Sequence, residues 1–149
     1  MAATKLNQRI CAIAIALMVP VVALAAPIKA ELYKNPECGC CEEYAQYLRA
    51  NGYEVTVMPT NDLALISRDA GIPEALEGCH AVFVQDYVVS GHVPVDVVNK
   101  LLAERPPIAG IALPGMPAGS PGMNGTKAEP FKIYSVSRSG SSSSVYAVR

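Results

Sequence analysis

A chain of 149 residues with a formal net charge of −1 and only 17% charged residues has no basic surface to offer, which argues against nucleic acid as a partner. Its length suffices for one domain with a real core and little more. Five cysteines in so short a chain turn attention to thiol chemistry.

The N-terminus reads as an address rather than as structure. Lys5 and Arg9 form a positive n-region, Ile10 to Val19 is apolar, and Ala23-Leu24-Ala25 supplies small residues for cleavage. The cut is expected after Ala25, because a cut after Ala26 would place Pro27 just beyond the scissile bond. That leaves a signal peptide over 1–25 and a single domain over 26–149. The alternative is a membrane anchor, but Pro20 interrupts a run already short against the roughly 20 residues of a spanning helix. No stable membrane anchor is therefore expected after cleavage. Loss of the leader removes Cys11 and, with Lys5 and Arg9, moves the formal charge from −1 to −3. Export would put Cys38, Cys40, Cys41 and Cys79 in an oxidising space, where thiols become disulfides unless a metal or a reductase holds them.

Ala30 to Lys34 is a short predicted strand, broken by Asn35-Pro36. A helix follows from about Cys41 to Ala50, with Tyr44, Tyr47 and Leu48 at core spacing and Asn51-Gly52 as its stop. Tyr53 to Met58 alternates like a half-buried strand, with Met58 expected in the core, and Pro59 closes it. Asn61 or Asp62 can cap a second helix carrying Leu63, Leu65, Ile66 and Ala70, ending at Gly71. Ala81 to Val84 and Tyr87 to Val89 form a hairpin about Gln85-Asp86. Val95 to Glu104 is a third helix, with Val97, Val98, Leu101 and Leu102 inward. Arg105 to Pro130 is so dense in proline and glycine that no regular element is expected there. Phe131 to Val136 and Ser144 to Val148 close the chain as a hairpin turning at Ser139-Gly140-Ser141. Alternating strands and helices predict an α/β domain with a mixed sheet.

The cluster Cys38-Gly39-Cys40-Cys41 sits at the mouth of the first helix. Unpaired N–H groups and the partial positive charge there favour thiolate, the form that binds soft metals and attacks disulfides. Glu42 and Glu43 stabilise the helix start through the same dipole and oppose that lowering. A bridge between adjacent Cys40 and Cys41 is strained and one from Cys38 to Cys40 closes a very tight ring, so Cys38 with Cys41 is the comfortable pair. That pairing leaves Cys40 as an odd thiol, poor design for a staple and good design for a soft ion such as Cu(I). Two disulfides formed with Cys79 are the structural alternative.

The order of strand, Cys-x-x-Cys, helix, strand, helix, hairpin and helix resembles the thioredoxin fold. No tryptophan precedes Cys38, and Cys79-His80 stands where thioredoxins place a cis-proline facing the active-site cysteines. By that resemblance Cys79 and His80 lie across a groove from Cys38 and Cys41. Thiolates with an imidazole suit Cu(I), Cu(II) or Zn(II), with zinc the competitor on ligand type.

A more specific resemblance rests on Lys34-Asn35-Pro36 with the cysteine cluster, on Cys79-His80, on Tyr87 to Pro94 including Ser90-Gly91-His92-Val93-Pro94, and on Leu113-Pro114-Gly115-Met116-Pro117 with Gly119-Ser120-Pro121-Gly122-Met123. These blocks are similar to the exported CopG-type proteins of bacterial copper-resistance clusters. The resemblance implies a periplasmic protein that handles copper, with one or more Cu(I) ions as cargo and other periplasmic copper-handling proteins as partners. The resemblance leaves storage, transfer and redox conversion open; the residue chemistry points to Cys38, Cys40, Cys41, Cys79 and His80 as ligands, with Cys38 and Cys41 also the expected redox pair of a copper/thiol oxidoreductase. His92 is either a helix-opening residue or a further ligand. Met116 and Met123 are either lid residues or thioether ligands. The rival functions are a thiol–disulfide oxidoreductase acting on protein partners and a zinc-binding or disulfide-stapled structural module.

Overall fold

The computed structural model describes residues 26–139 and 143–149. The expected leader over 1–25, with Cys11, and Gly140-Ser141 of the expected closing turn lie outside them. The first strand, β1 (Ile28–Lys34), leads through the cysteine loop into helix α1 (Gly39–Ala50), and β2 (Tyr53–Pro59) returns parallel to β1. Helix α2 (Leu63–Asp69) and a short 3₁₀ turn (Glu74–Leu76) precede β3 (His80–Val84), which runs antiparallel to β1. A hairpin joins β3 to β4 (Tyr87–Ser90), and α3 (Val95–Glu104) crosses over to β5 (Gly110–Ala112), parallel to β4. Strands β6 (Lys132–Val136) and β7 (Ser143–Val148) complete one mixed sheet in the order β2-β1-β3-β4-β5-β6-β7. The protein is α/β, as its alternating pattern predicts.

Side-chain alternation splits the core between the two faces of this sheet. On one face Leu32, Val82, Val89, Ile111 and Ile133 pack with Tyr44, Ala45 and Leu48 of α1 and Val97, Val98 and Leu101 of α3. On the other, Ala81, Val88, Ala112 and Val136 meet Leu63 of α2, Ile72 and Leu76. The central strands β3 and β4 are buried almost throughout because both faces are covered.

Three expectations change. The proline- and glycine-rich stretch contains β5, inserted through Ile108 to Leu113, an apolar run free of proline. Gly110 is required there, since a Cβ would stand 1.8 Å from the Val88 carbonyl oxygen. Met58 is 39% exposed rather than in the core, because the buried residues of β2 are Tyr53 and Val55 and Met58 shares the opposite face with the exposed Glu54 and Thr56. Helix α1 begins at Gly39, so Cys38 is its N-cap residue and both Cys40 and Cys41 lie in the first turn.

Candidate metal centre

The loop before α1 is held from beneath by a buried cation. Lys34, the last residue of β1, is 3% exposed and donates to the carbonyls of Asn35 and Pro36 at 3.3 and 3.0 Å. The same ammonium pairs with Glu42 at 3.2 Å, tying the first turn of α1 to the loop. Cys38 N–H closes a turn on the Asn35 carbonyl at 3.0 Å. Cys38 and Cys41 are joined by a disulfide across three residues of sequence, and Cys40 remains a free thiol between them.

The opposing arm depends on two glycines. A Cβ on Gly78 would fall 2.6 Å from the Gly91 Cα, so only bare backbone lets these segments pass. Ser90 fixes the approach by accepting from the Gly78 N–H at 2.8 Å and donating to the Leu76 carbonyl at 3.3 Å. The residues that follow each glycine then meet: Cys79 Sγ lies 3.1 Å from His92 Nε2 and 3.5 Å from His80 Nδ1. Cys79 also faces the loop, with its sulfur 3.8 Å from that of Cys40 and its carbonyl oxygen 3.3 Å from Cys41 Sγ.

The two imidazoles are almost fully enclosed. His80 stacks on the Tyr44 ring at 4.6 Å between centroids and meets the His92 ring edge-on at 4.8 Å. Tyr44 is anchored by donating its hydroxyl to the Val93 carbonyl at 2.7 Å. His92 Nδ1 lies 2.7 Å from the Pro121 carbonyl, which can only accept, so Nδ1 carries the proton and Nε2 presents a lone pair to Cys79. His80 Nε2 is buried with no hydrogen-bond partner among the described residues. Burial, and then the neighbouring His92, lower the His80 pKa to about 3, and burial lowers that of His92 against the pull of the Pro121 carbonyl. Burial, followed by the nearby Cys40, pushes the Cys79 thiol up to about 12. At neutral pH the metal-free pocket thus holds neutral imidazoles beside a protonated thiol.

Cys38, Cys40, Cys41 and Cys79 form one cluster whose ligand atoms lie within 4.8 Å of one another, and Cys79, His80 and His92 form a second on the same criterion. Cys79 belongs to both. Sulfur and imidazole donors fit copper or zinc and offer nothing to hard cations such as magnesium or calcium. Of the residues singled out from sequence, Cys38, Cys40, Cys41, Cys79, His80 and His92 lie in these two clusters, with His92 3.1 Å from Cys79.

The two Pro-Gly-Met units, identical in sequence, are used differently. Met116 is 42% exposed, at a backbone φ of 45°, whereas Met123 is half-buried. The second unit presses on α1: a Cβ on Gly122, at φ 78°, would stand 2.7 Å from the Tyr44 backbone nitrogen. This contact sets the Pro121 carbonyl against His92, a role invisible to residue-type reasoning, as were the burial of Lys34 and the stacking of Tyr44. Gly122→Ala is expected to lift the loop off the helix and weaken binding of a metal ion held by His92 about 10- to 100-fold, the usual effect of losing a ligand's outer hydrogen-bond partner. Competition with a chromophoric chelator measures this, and unchanged affinity would remove the loop from the site.

Residues 76–123 match a family described as a protein of unknown function, DUF411. The matched stretch holds Cys79, His80, His92 and both Pro-Gly-Met units. Two solved structures of copper resistance protein CopG, forms 2 and 1, are each 35% identical to this chain, with TM-scores of 0.76 and 0.75. Each match covers 83% of this chain and 98% of the other. No curated protein matches the chain.

Proposed function

The chain belongs to the CopG copper-resistance family, and from that premise we propose that it is an exported, periplasmic copper-binding protein that couples copper and thiol redox states. The observation that carries this reading is the convergence of four cysteine sulfurs from two distant segments, with two imidazoles at its edge. In the reduced protein Cys38, Cys40, Cys41 and Cys79 supply thiolates for Cu(I), the ion that soft sulfur selects. Closing the Cys38–Cys41 disulfide withdraws two of those donors and yields two electrons. Two Cu(II) ions accept them, one each, and become Cu(I), so the step balances without a further reactant. The order β2-β1-β3-β4 with antiparallel β3, and Cys79-His80 opposite the helix-mouth cysteines, supports a thioredoxin-like ancestry for this chemistry.

The test is anaerobic Cu(I) titration of the reduced mature protein against a competing chelator, with Zn(II) in parallel. Tight uptake of one or more copper ions is expected, with affinity and stoichiometry both reduced in the Cys38→Ser, Cys41→Ser double variant. Unchanged binding in that variant sinks the proposal. The same disulfide also favours a second reading, a thiol–disulfide oxidoreductase acting on protein partners, since Cys38 is partly exposed while Cys41 is buried. That reading requires turnover of a disulfide substrate in metal-free buffer.

A further inference from the structure

With the Cys38–Cys41 disulfide closed, Cys38 and Cys41 have no charge to offer a metal. The site is not thereby emptied of donors. Cys40 and Cys79 are free, and Cys79, His80 and His92 keep their ligand atoms within 4.8 Å of one another in this same oxidised state. We propose that the disulfide form is itself metal-binding, holding a single divalent ion on Cys79 Sγ, His92 Nε2 and a ring nitrogen of His80, with Cys40 as the adjacent fourth donor. This rests on the copper reading above and adds to it a change of site: sulfur-rich for Cu(I) when reduced, mixed nitrogen and sulfur for a divalent ion when oxidised.

Three observations support it. The His92 ring is locked by its Nδ1–H bond to the Pro121 carbonyl, which aims the Nε2 lone pair at Cys79, 3.1 Å away. His80, fully buried and stacked on Tyr44, sets its Nδ1 3.5 Å from Cys79 Sγ, which holds a second imidazole nitrogen beside that sulfur. The donor types also suit a divalent ion, since two imidazoles with the sulfurs of Cys79 and Cys40 make a mixed nitrogen and sulfur set, while all-thiolate sets select Cu(I). Because Cys79 serves both clusters, an ion need only shift its remaining bonds from the loop cysteines to the imidazoles, without leaving that sulfur.

Cobalt(II) is the probe, since it does not oxidise thiols and its visible spectrum reports coordination. The full mature protein is oxidised, its disulfide and two free thiols are verified by mass and thiol titration, and Co(II) is added. Expected is saturation at one ion per chain, with intense four-coordinate d–d bands and a sulfur charge-transfer band, both lost in Cys79→Ser and at least tenfold weaker in His92→Gln. Absence of these bands in the disulfide form, or their persistence in both variants, overturns the proposal. Circular dichroism of each variant confirms that it is folded before the comparison. Cu(I) uptake by the reduced wild type is measured alongside. Cu(I) uptake without Co(II) bands defeats only the oxidised-state site, and Co(II) bands without Cu(I) uptake defeat the copper reading instead.

Discussion

Cys79→Ser is expected to lower Cu(I) affinity more than the loss of any one loop cysteine, by well beyond the roughly 10- to 100-fold effect of removing an outer partner. The reason is position. The Cys79 sulfur stands between the loop and the histidines, 3.8 Å from Cys40 and 3.1 Å from His92. Serine fits the same space but offers a hard, protonated oxygen, which Cu(I) binds poorly. Cys40→Ser removes one donor from the sulfur cluster and leaves the histidine cluster intact, whereas Cys79→Ser opens both. Anaerobic competition titrations of the two variants side by side measure the difference. Equal losses, or a smaller loss for Cys79→Ser, would show that the two clusters do not share their central atom.

The second large effect concerns acid. The His80 pKa is lowered to about 3 by burial and by His92, against about 6.5 in an unfolded chain. Above pH 6.5 neither state binds the proton and stability is unaffected. As pH falls below 6.5 the unfolded chain takes up a proton that the native protein refuses, so stability declines until the native pKa is reached. Between neutral pH and pH 5 the expected loss from this one residue is about 2 kcal/mol, a substantial share of the 5–15 kcal/mol typical of a domain. The depressed pKa of His92 adds in the same direction. Urea unfolding of the metal-free protein at pH 7.5 and 5.0 reads this directly, and His80→Gln should flatten the dependence even if it lowers stability at both. A wild-type midpoint that does not move between these pH values contradicts the buried, neutral state of the pair.

Much of this centre is legible in the sequence, and the boundary is instructive. Cysteines and histidines announce their chemistry by residue type, so Cys38, Cys40, Cys41, Cys79 and His80 stand out without any fold. The helices are legible through periodicity, and α3 falls over the predicted span, Val95–Glu104. What escapes is carried by groups that every residue possesses. The Pro121 carbonyl acts on His92 through a backbone oxygen, and nothing distinguishes Pro121 from Pro114 until Gly122 is found against α1. Lys34 reads as an ordinary surface lysine because its partners are mainly the carbonyls of the next two residues. Strand β5 is hidden because proline and glycine on either side outweigh a short apolar run, and its pairing with β4 is fixed by tertiary contact. Met58 is misplaced by its apolar type, since the alternation of β2 itself puts it on the exposed face with Glu54 and Thr56.

The donors come from the N-cap and first turn of α1, the start of β3 and the turn after β4, and the Pro121 segment closes over them. Cys38, Cys40 and Cys41 lie close together in sequence, but Cys79, His80 and His92 join them only in the folded chain, so the complete site exists only there. Any ion gripped there therefore clasps the whole domain, and loading and folding become a single equilibrium. At a free ion concentration a thousand times the dissociation constant, mass action adds about 4 kcal/mol to the stability of the folded form, less whatever the three neighbouring thiols hold in the unfolded chain. On the proposed reading the domain is at its most fragile where copper is scarce, and abundant copper preserves the protein that takes it up.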